Sequence, residues 1–177
     1  MPKVDSRMIR RGVTARVCFV LVLASCGTDA VPTGPFDGLP VCTSDTHWKM
    51  ADQPSPQMYP GVACNECHSM VLGTPRFTIA GTLYPTGHEP DNCNGALGAI
   101  VEIVDANNVI FTLEPTNEAG NFMFSIVESP QPAFPFRARV ILDGRVRAMT
   151  GEVANGDCNS CHTQDGASSA PGRILLP

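Results

Sequence analysis

The sequence predicts a mainly β protein: a small antiparallel β-sandwich flanked by irregular segments that carry short helical turns. Three observations predict it. Short runs of β-branched and aromatic residues recur between residues 77 and 147, separated by Gly, Pro, Asn and Asp turns. Sixteen Gly and sixteen Pro in 177 residues favour turns over long helices. No segment keeps a helical period beyond a short turn. Hydrophobic residues make up 43% of the chain, enough for a packed core, and charged residues only 16%, too few for a coiled coil or a charge-driven disordered chain.

The strands follow in order. Phe77-Thr78-Ile79-Ala80-Gly81-Thr82-Leu83-Tyr84 alternates as a strand does, with β-branched and aromatic residues. Ile100–Val104 is next, followed by the turn Asp105-Ala106-Asn107-Asn108 and by Val109–Leu113; Asn tolerates positive φ, which suits a hairpin. Gly120–Val127 reads as another strand. Phe136–Leu142, Asp143-Gly144 and Arg145–Arg147 make the clearest hairpin, since Asp-Gly suits a type I′ turn and arginines alternate with apolar residues around it. An even number of strands between the flanking segments brings those segments together; an odd number holds them at opposite poles.

The N-terminal quarter is of another kind. Lys3, Arg7, Arg10, Arg11 and Arg16 precede the apolar run Val17–Ala24, far shorter than the ~20 residues that span a bilayer. Leu23-Ala24-Ser25-Cys26-Gly27 resembles a bacterial lipobox, which implies removal of residues 1–25 and acylation of Cys26; an ordinary secretory signal with a chance Cys is the alternative. Residues 26–40 read as a flexible tether. Removing residues 1–25 takes five bases and one acid from the chain's 12 and 17, leaving seven bases, sixteen acids and a net charge of −9. Such a surface argues against nucleic acid, which is bound through Lys and Arg, and fits a partner that is basic at its docking face.

Eight cysteines carry the functional reading. Beyond Cys18 and Cys26, four of the remaining six form two units of one pattern, Cys64-Asn65-Glu66-Cys67-His68 and Cys158-Asn159-Ser160-Cys161-His162. C-x-x-C-H is the haem c attachment pattern. Two thiols three residues apart reach the two vinyl groups on one porphyrin edge, and the next residue sets an imidazole under the iron. The expected cofactors are therefore two covalently bound haem c groups, in a first segment over residues 41–76 and a second over 151–177. The C-terminal Ile174-Leu175-Leu176 either packs back on the second haem or frays. A zinc site needs four convergent thiolate or imidazole ligands, and the ninety residues between Cys67 and Cys158 make a long interval for one. Two structural disulfides are the other alternative, and neither explains a His after each pair. Cys42 and Cys93 remain as an even pair in an oxidising compartment, where a bridge closing some fifty residues stabilises by roughly 3–4 kcal/mol.

The chain has four histidines, His47, His68, His88 and His162. With His68 and His162 as proximal ligands, His88 in its proline-stiffened loop and His47 are the distal candidates. Met58 and Met149, each a short way before an attachment motif, compete with them. Bis-His ligation ranks ahead of His/Met. Glu89, beside His88, is the one polar group suggestive of peroxidase-type chemistry.

Two resemblances complete the reading. Ile79–Leu83, Gly98–Ala106 and Asn117–Phe124 resemble a carboxypeptidase-regulatory-like (transthyretin-like) β-sandwich module over residues 77–150, a family that implies a scaffold and no catalytic residues. The Pro- and Cys-bearing insert over 85–94 departs from it. The whole chain resembles small bacterial dihaem c-type cytochrome lipoproteins, which implies electron transfer in the periplasm or at the outer membrane, with the chain held to a membrane by its lipid anchor. A dihaem peroxidase-like enzyme or a haem-based redox sensor subunit is the alternative.

Overall fold

Alternating side chains give an extended segment two distinct faces, and strands form where the alternation is clearest. In the computed structural model, which describes Cys42, Ser44 and residues 55–177, seven strands build two sheets. The expected signal segment, Cys26, the tether over 26–40 and His47 lie outside the described residues. The strands are β1 (Phe77–Tyr84), β2 (Ile100–Val104), β3 (Ile110–Thr112), β4 (Asn121–Ser125), β5 (Arg137–Leu142), β6 (Arg145–Ala148) and β7 (Ile174–Leu175). One sheet has the order β4-β1-β7 and the other β3-β2-β5-β6, so the fold is a small, mainly β sandwich. A seven-residue helix, α1 (Cys64–Met70), and a 3-10 turn over Cys158–Ser160 are the only helical elements among the described residues.

The hairpin expected at Asp143-Gly144 forms with positive φ at both residues, 50° and 74°, as a type I′ turn requires. Asn108 likewise takes a positive φ of 62° between β2 and β3. The strands over 109–113 and 120–127 are shorter than their apolar runs, ending at Ile110–Thr112 and Asn121–Ser125. All ladders are antiparallel except one. The C-terminal β7 pairs in parallel with the end of β1, Leu83 beside Ile174 and Tyr84 beside Leu175, so the C-terminus is part of the sheet and not frayed.

Between the sheets lies a core of Ile79, Phe122 and Phe124 from one side and Val101, Ile103 and Phe136 from the other, joined by Leu113. Phe111 meets Phe124 edge-on at 5.8 Å between ring centres. Each such side chain, removed from water, contributes on the order of 2 kcal/mol before conformational entropy is subtracted. β1 differs from the other strands because its last six residues are all buried, so both of its faces are covered. One face meets the core. The other meets the segments that carry the two cysteine motifs.

The turn after β2 is held by Asp105, whose carboxylate accepts N–H bonds from Asn107, Val109 and Ala133 at 2.8–3.1 Å. Burial alone would raise its pKa, but the backbone donors outweigh burial and hold the carboxyl below its ordinary value. A depressed folded pKa adds stability that is present above the unfolded value, near 4, and lost as pH falls through the folded one. Urea unfolding of Asp105→Asn should therefore show a larger penalty at neutral pH than at about pH 3. An equal penalty at both would mean the carboxylate charge adds nothing.

Candidate functional site

The two cysteine motifs lie side by side. Six strands separate them in sequence, an even number, and the chain returns to where it began. The second motif runs along the edge of β1 opposite β4, just ahead of the β7 pairing at Leu83 and Tyr84. There Gly156 accepts the Ala80 N–H at 2.9 Å, and Asp157 bridges to Ala80 in parallel. Gly156 must be glycine, because a Cβ would collide with the Thr78 carbonyl.

Two residues after Asp157, Asn159 replaces a missing strand. Its Oδ1 accepts the Thr82 N–H at 2.9 Å, and its Nδ2 donates to Val62 O at 2.9 Å and to Thr82 Oγ1 at 3.0 Å. Thr82 Oγ1 also accepts the Gly61 N–H and donates to Asn121 Oδ1, both at 2.8 Å. Asn121 Nδ2 in turn reaches the carbonyls of Pro56 and Met58. This buried network fastens the segment ahead of the first motif to the sandwich.

Asp157 performs the reciprocal service. Its Oδ2 accepts the N–H groups of Asn65 and Glu66, at 2.8 and 3.1 Å, and so caps α1 from 91 or more residues away. The flanking residue Ala63 supplies no side-chain cap of its own.

The motifs share local geometry. Each leading thiol points back to the carbonyl two residues earlier, Cys64 to Val62 and Cys158 to Gly156. In each the histidine Nδ1 lies against a backbone carbonyl, Pro75 O at 2.6 Å for His68 and Gly172 O at 2.8 Å for His162. A carbonyl can only accept, so Nδ1 carries a proton, and in the neutral ring the free lone pair is on Nε2, the atom that would face a metal. Phe77 packs against the His68 ring, 5.2 Å between centres.

All four motif thiols are unbridged, whereas Cys42 and Cys93 are joined, their Cα atoms 5.4 Å apart. Burial, with the Asp157 carboxylate second, pushes the Cys64 thiol up to about 12. Burial does the same to Cys158, which also reaches about 12. A dithiol working by exchange needs a lowered pKa, and these are raised. Among the described residues no three His, Cys, Asp or Glu side chains converge to hold a metal ion.

The first motif opens onto a cavity of about 460 Å³. Cys64, Cys67 and His68 form one wall, with Met58 and Tyr59 in another and Ala80, Phe122 and Met123 of the sheet beneath. That volume is within the ~300–1,000 Å³ of cofactor sites. A porphyrin asks for an apolar slot, two thiols on one edge and an imidazole with its Nε2 unprotonated, and the residues present fit it. At the second motif Cys158 packs against the sandwich core, while Cys161 and His162 are half-buried.

The distal candidates separate. Met58 lines the first cavity, and so does Met123 of β4, which lay unnoticed inside a strand pattern; its cross-strand partner is Ala80, also in the lining. His88 is exposed on its loop, away from that cavity. Met149 follows β6, half-buried, with its N–H on Ala138 O. Glu89 is engaged within its own loop by Thr86 and Asn94, which gives it a structural task. No family model, no curated protein and no solved structure matches the chain. Among the described residues no helix is long and apolar enough to cross a membrane.

Proposed function

We propose that this protein is a membrane-anchored dihaem c-type cytochrome that transfers electrons outside the cytoplasm, in the periplasm or at the outer membrane. The observation that carries the reading is the matched pair of histidines, each behind two unbridged thiols and each with Nδ1 held by a carbonyl. A haem bound at such a site supplies a reversible one-electron ferric–ferrous couple. The chain's own residues do the rest. Cys64 and Cys67, and Cys158 and Cys161, hold the group by thioether bonds. Pro75 and Gly172 orient the imidazoles and raise their basicity. The apolar walls of the first cavity exclude water. Acylated Cys26 ties the protein to a membrane, and the net charge of −9 after residue 25 steers a basic redox partner toward it.

Intact-mass analysis of protein recovered from cells that mature c-type cytochromes tests this directly. The expected result is a red protein whose mass includes two haems, together with acyl chains on Cys26. A colourless product with zinc or bridged sulfurs at the four thiols would overturn it.

A further inference from the structure

We infer that the two haems are unlike: His68 shares its iron with a methionine thioether, from Met58 or Met123, and His162 shares its iron with the imidazole of His88. The inference rests on the dihaem reading and assigns the ligands that reading leaves open.

The first half comes from the cavity. Its described lining holds one imidazole, His68, and the only thioethers are those of Met58 and Met123. Both are placed by the fold. Asn121 Nδ2 bonds the Met58 carbonyl at 3.0 Å, and the Met58 N–H bonds Ser55 O at 3.1 Å. Met123 is fixed in register opposite Ala80 on the cavity floor. Methionine is flexible and polarisable, which suits either side chain to adjust to a group held in the cavity they share with His68.

The second half comes from Arg173, a buried guanidinium with 5% exposure. It donates Nη1 to the carbonyls of Gly87 and Glu89, both at 3.2 Å, the two residues flanking His88. The residue before it, Gly172, is the one whose carbonyl holds His162 Nδ1. Nη2 adds Gln164 Oε1 at 3.2 Å, two residues after His162. One side chain therefore fastens the loop that displays His88 to the segment that orients His162. His88 is exposed on the loop so fastened, and its ring makes no hydrogen bond among the described residues.

Thioether ligation raises a haem's potential relative to bis-imidazole ligation, so the first site should titrate above the second. The test uses full-length protein in which intact mass has established two haems. The ferric spectrum should show the thioether–iron charge-transfer band for one haem of the two. Either Met58→Leu or Met123→Leu, each close to volume-neutral, should abolish that band and lower only the higher of two one-electron waves. His88→Ala should leave the band in place and turn one haem high-spin by electron paramagnetic resonance, while His88→Met should keep it low-spin and add a second thioether signal. Two haems by mass with no thioether band, or two low-spin haems in His88→Ala, would overturn the assignment and leave the dihaem reading standing. Absence of haem by mass would instead remove that reading.

Discussion

Replacing Asn159 by Leu is expected to destabilise the protein by about 3–4 kcal/mol, although Leu matches it closely in size. The side chain is 2% exposed and makes four hydrogen bonds to two different segments, the fourth from Nδ2 to Cys64 Sγ. The substitution leaves the buried Thr82 N–H without a partner, at a cost on the order of 1–3 kcal/mol, leaves the Val62 carbonyl only the Cys64 thiol, and deprives Thr82 Oγ1 of a donor. For a protein of this size the melting temperature should fall by about 10 °C. The urea midpoint should drop with its slope unchanged. The informative control is the equivalent position of the first motif. Asn65 is half-buried and its side chain makes no hydrogen bond among the described residues, so Asn65→Leu should cost less than about 1 kcal/mol. Equal penalties at the two positions would mean that Asn159 does not join the motifs in the way described.

Arg173→Met is expected to cost about 3–5 kcal/mol, the largest effect of any single change outside the apolar core. The guanidinium serves five acceptors, the carbonyls of Gly87, Glu89 and Asp91 together with Asn92 Oδ1 and Gln164 Oε1. It also lies 5.0 Å over the Tyr84 ring. Methionine fills the space and satisfies none of the acceptors. Lysine should rescue little, since a single ammonium cannot reproduce the planar fork that spans both sides of the loop. Hydrogen exchange gives the local readout: amides over 86–93 and 163–172 should lose protection together in Arg173→Lys. Loss confined to one segment would show that the guanidinium does not couple them.

How much of this was legible in the sequence depends on the range of the interaction. β1, β2 and the β5–β6 hairpin announce themselves through alternation and Asp-Gly chemistry, which are local, and the structure has them at or within a residue of the expected bounds. β7 is two residues long and parallel, so it has no alternation to display; it exists because Leu83 and Tyr84 need an edge partner. The two C-x-x-C-H units are equally local and equally plain. What surrounds them is not. Asn159 reads as the variable position of a motif, Asp157 as a loop acid and Arg173 as a tail residue, and their tasks appear only when partners 77 to 97 residues away arrive. Met123 was hidden for a related reason: inside a strand pattern a methionine looks like core, and only the missing cover on that side of β4 exposes it to the cavity.

That long reach has a consequence for the order of events at synthesis. A polypeptide emerges from its amino end, so Cys64 appears well before Asp157, which α1 needs for its cap, and before Gly156 and Asn159, which close the β1 edge. Until Gly156, Asp157 and Asn159 are out, the early helix has no cap and the first cysteine pair remains open to reagents and enzymes. Once they arrive, burial pushes an unmodified Cys64 or Cys158 thiol up to about 12, so little of it is thiolate. The topology thus acts as a timer, keeping the sulfurs of the first motif accessible until the second motif arrives beside them, and then holding in place whatever has been made of them.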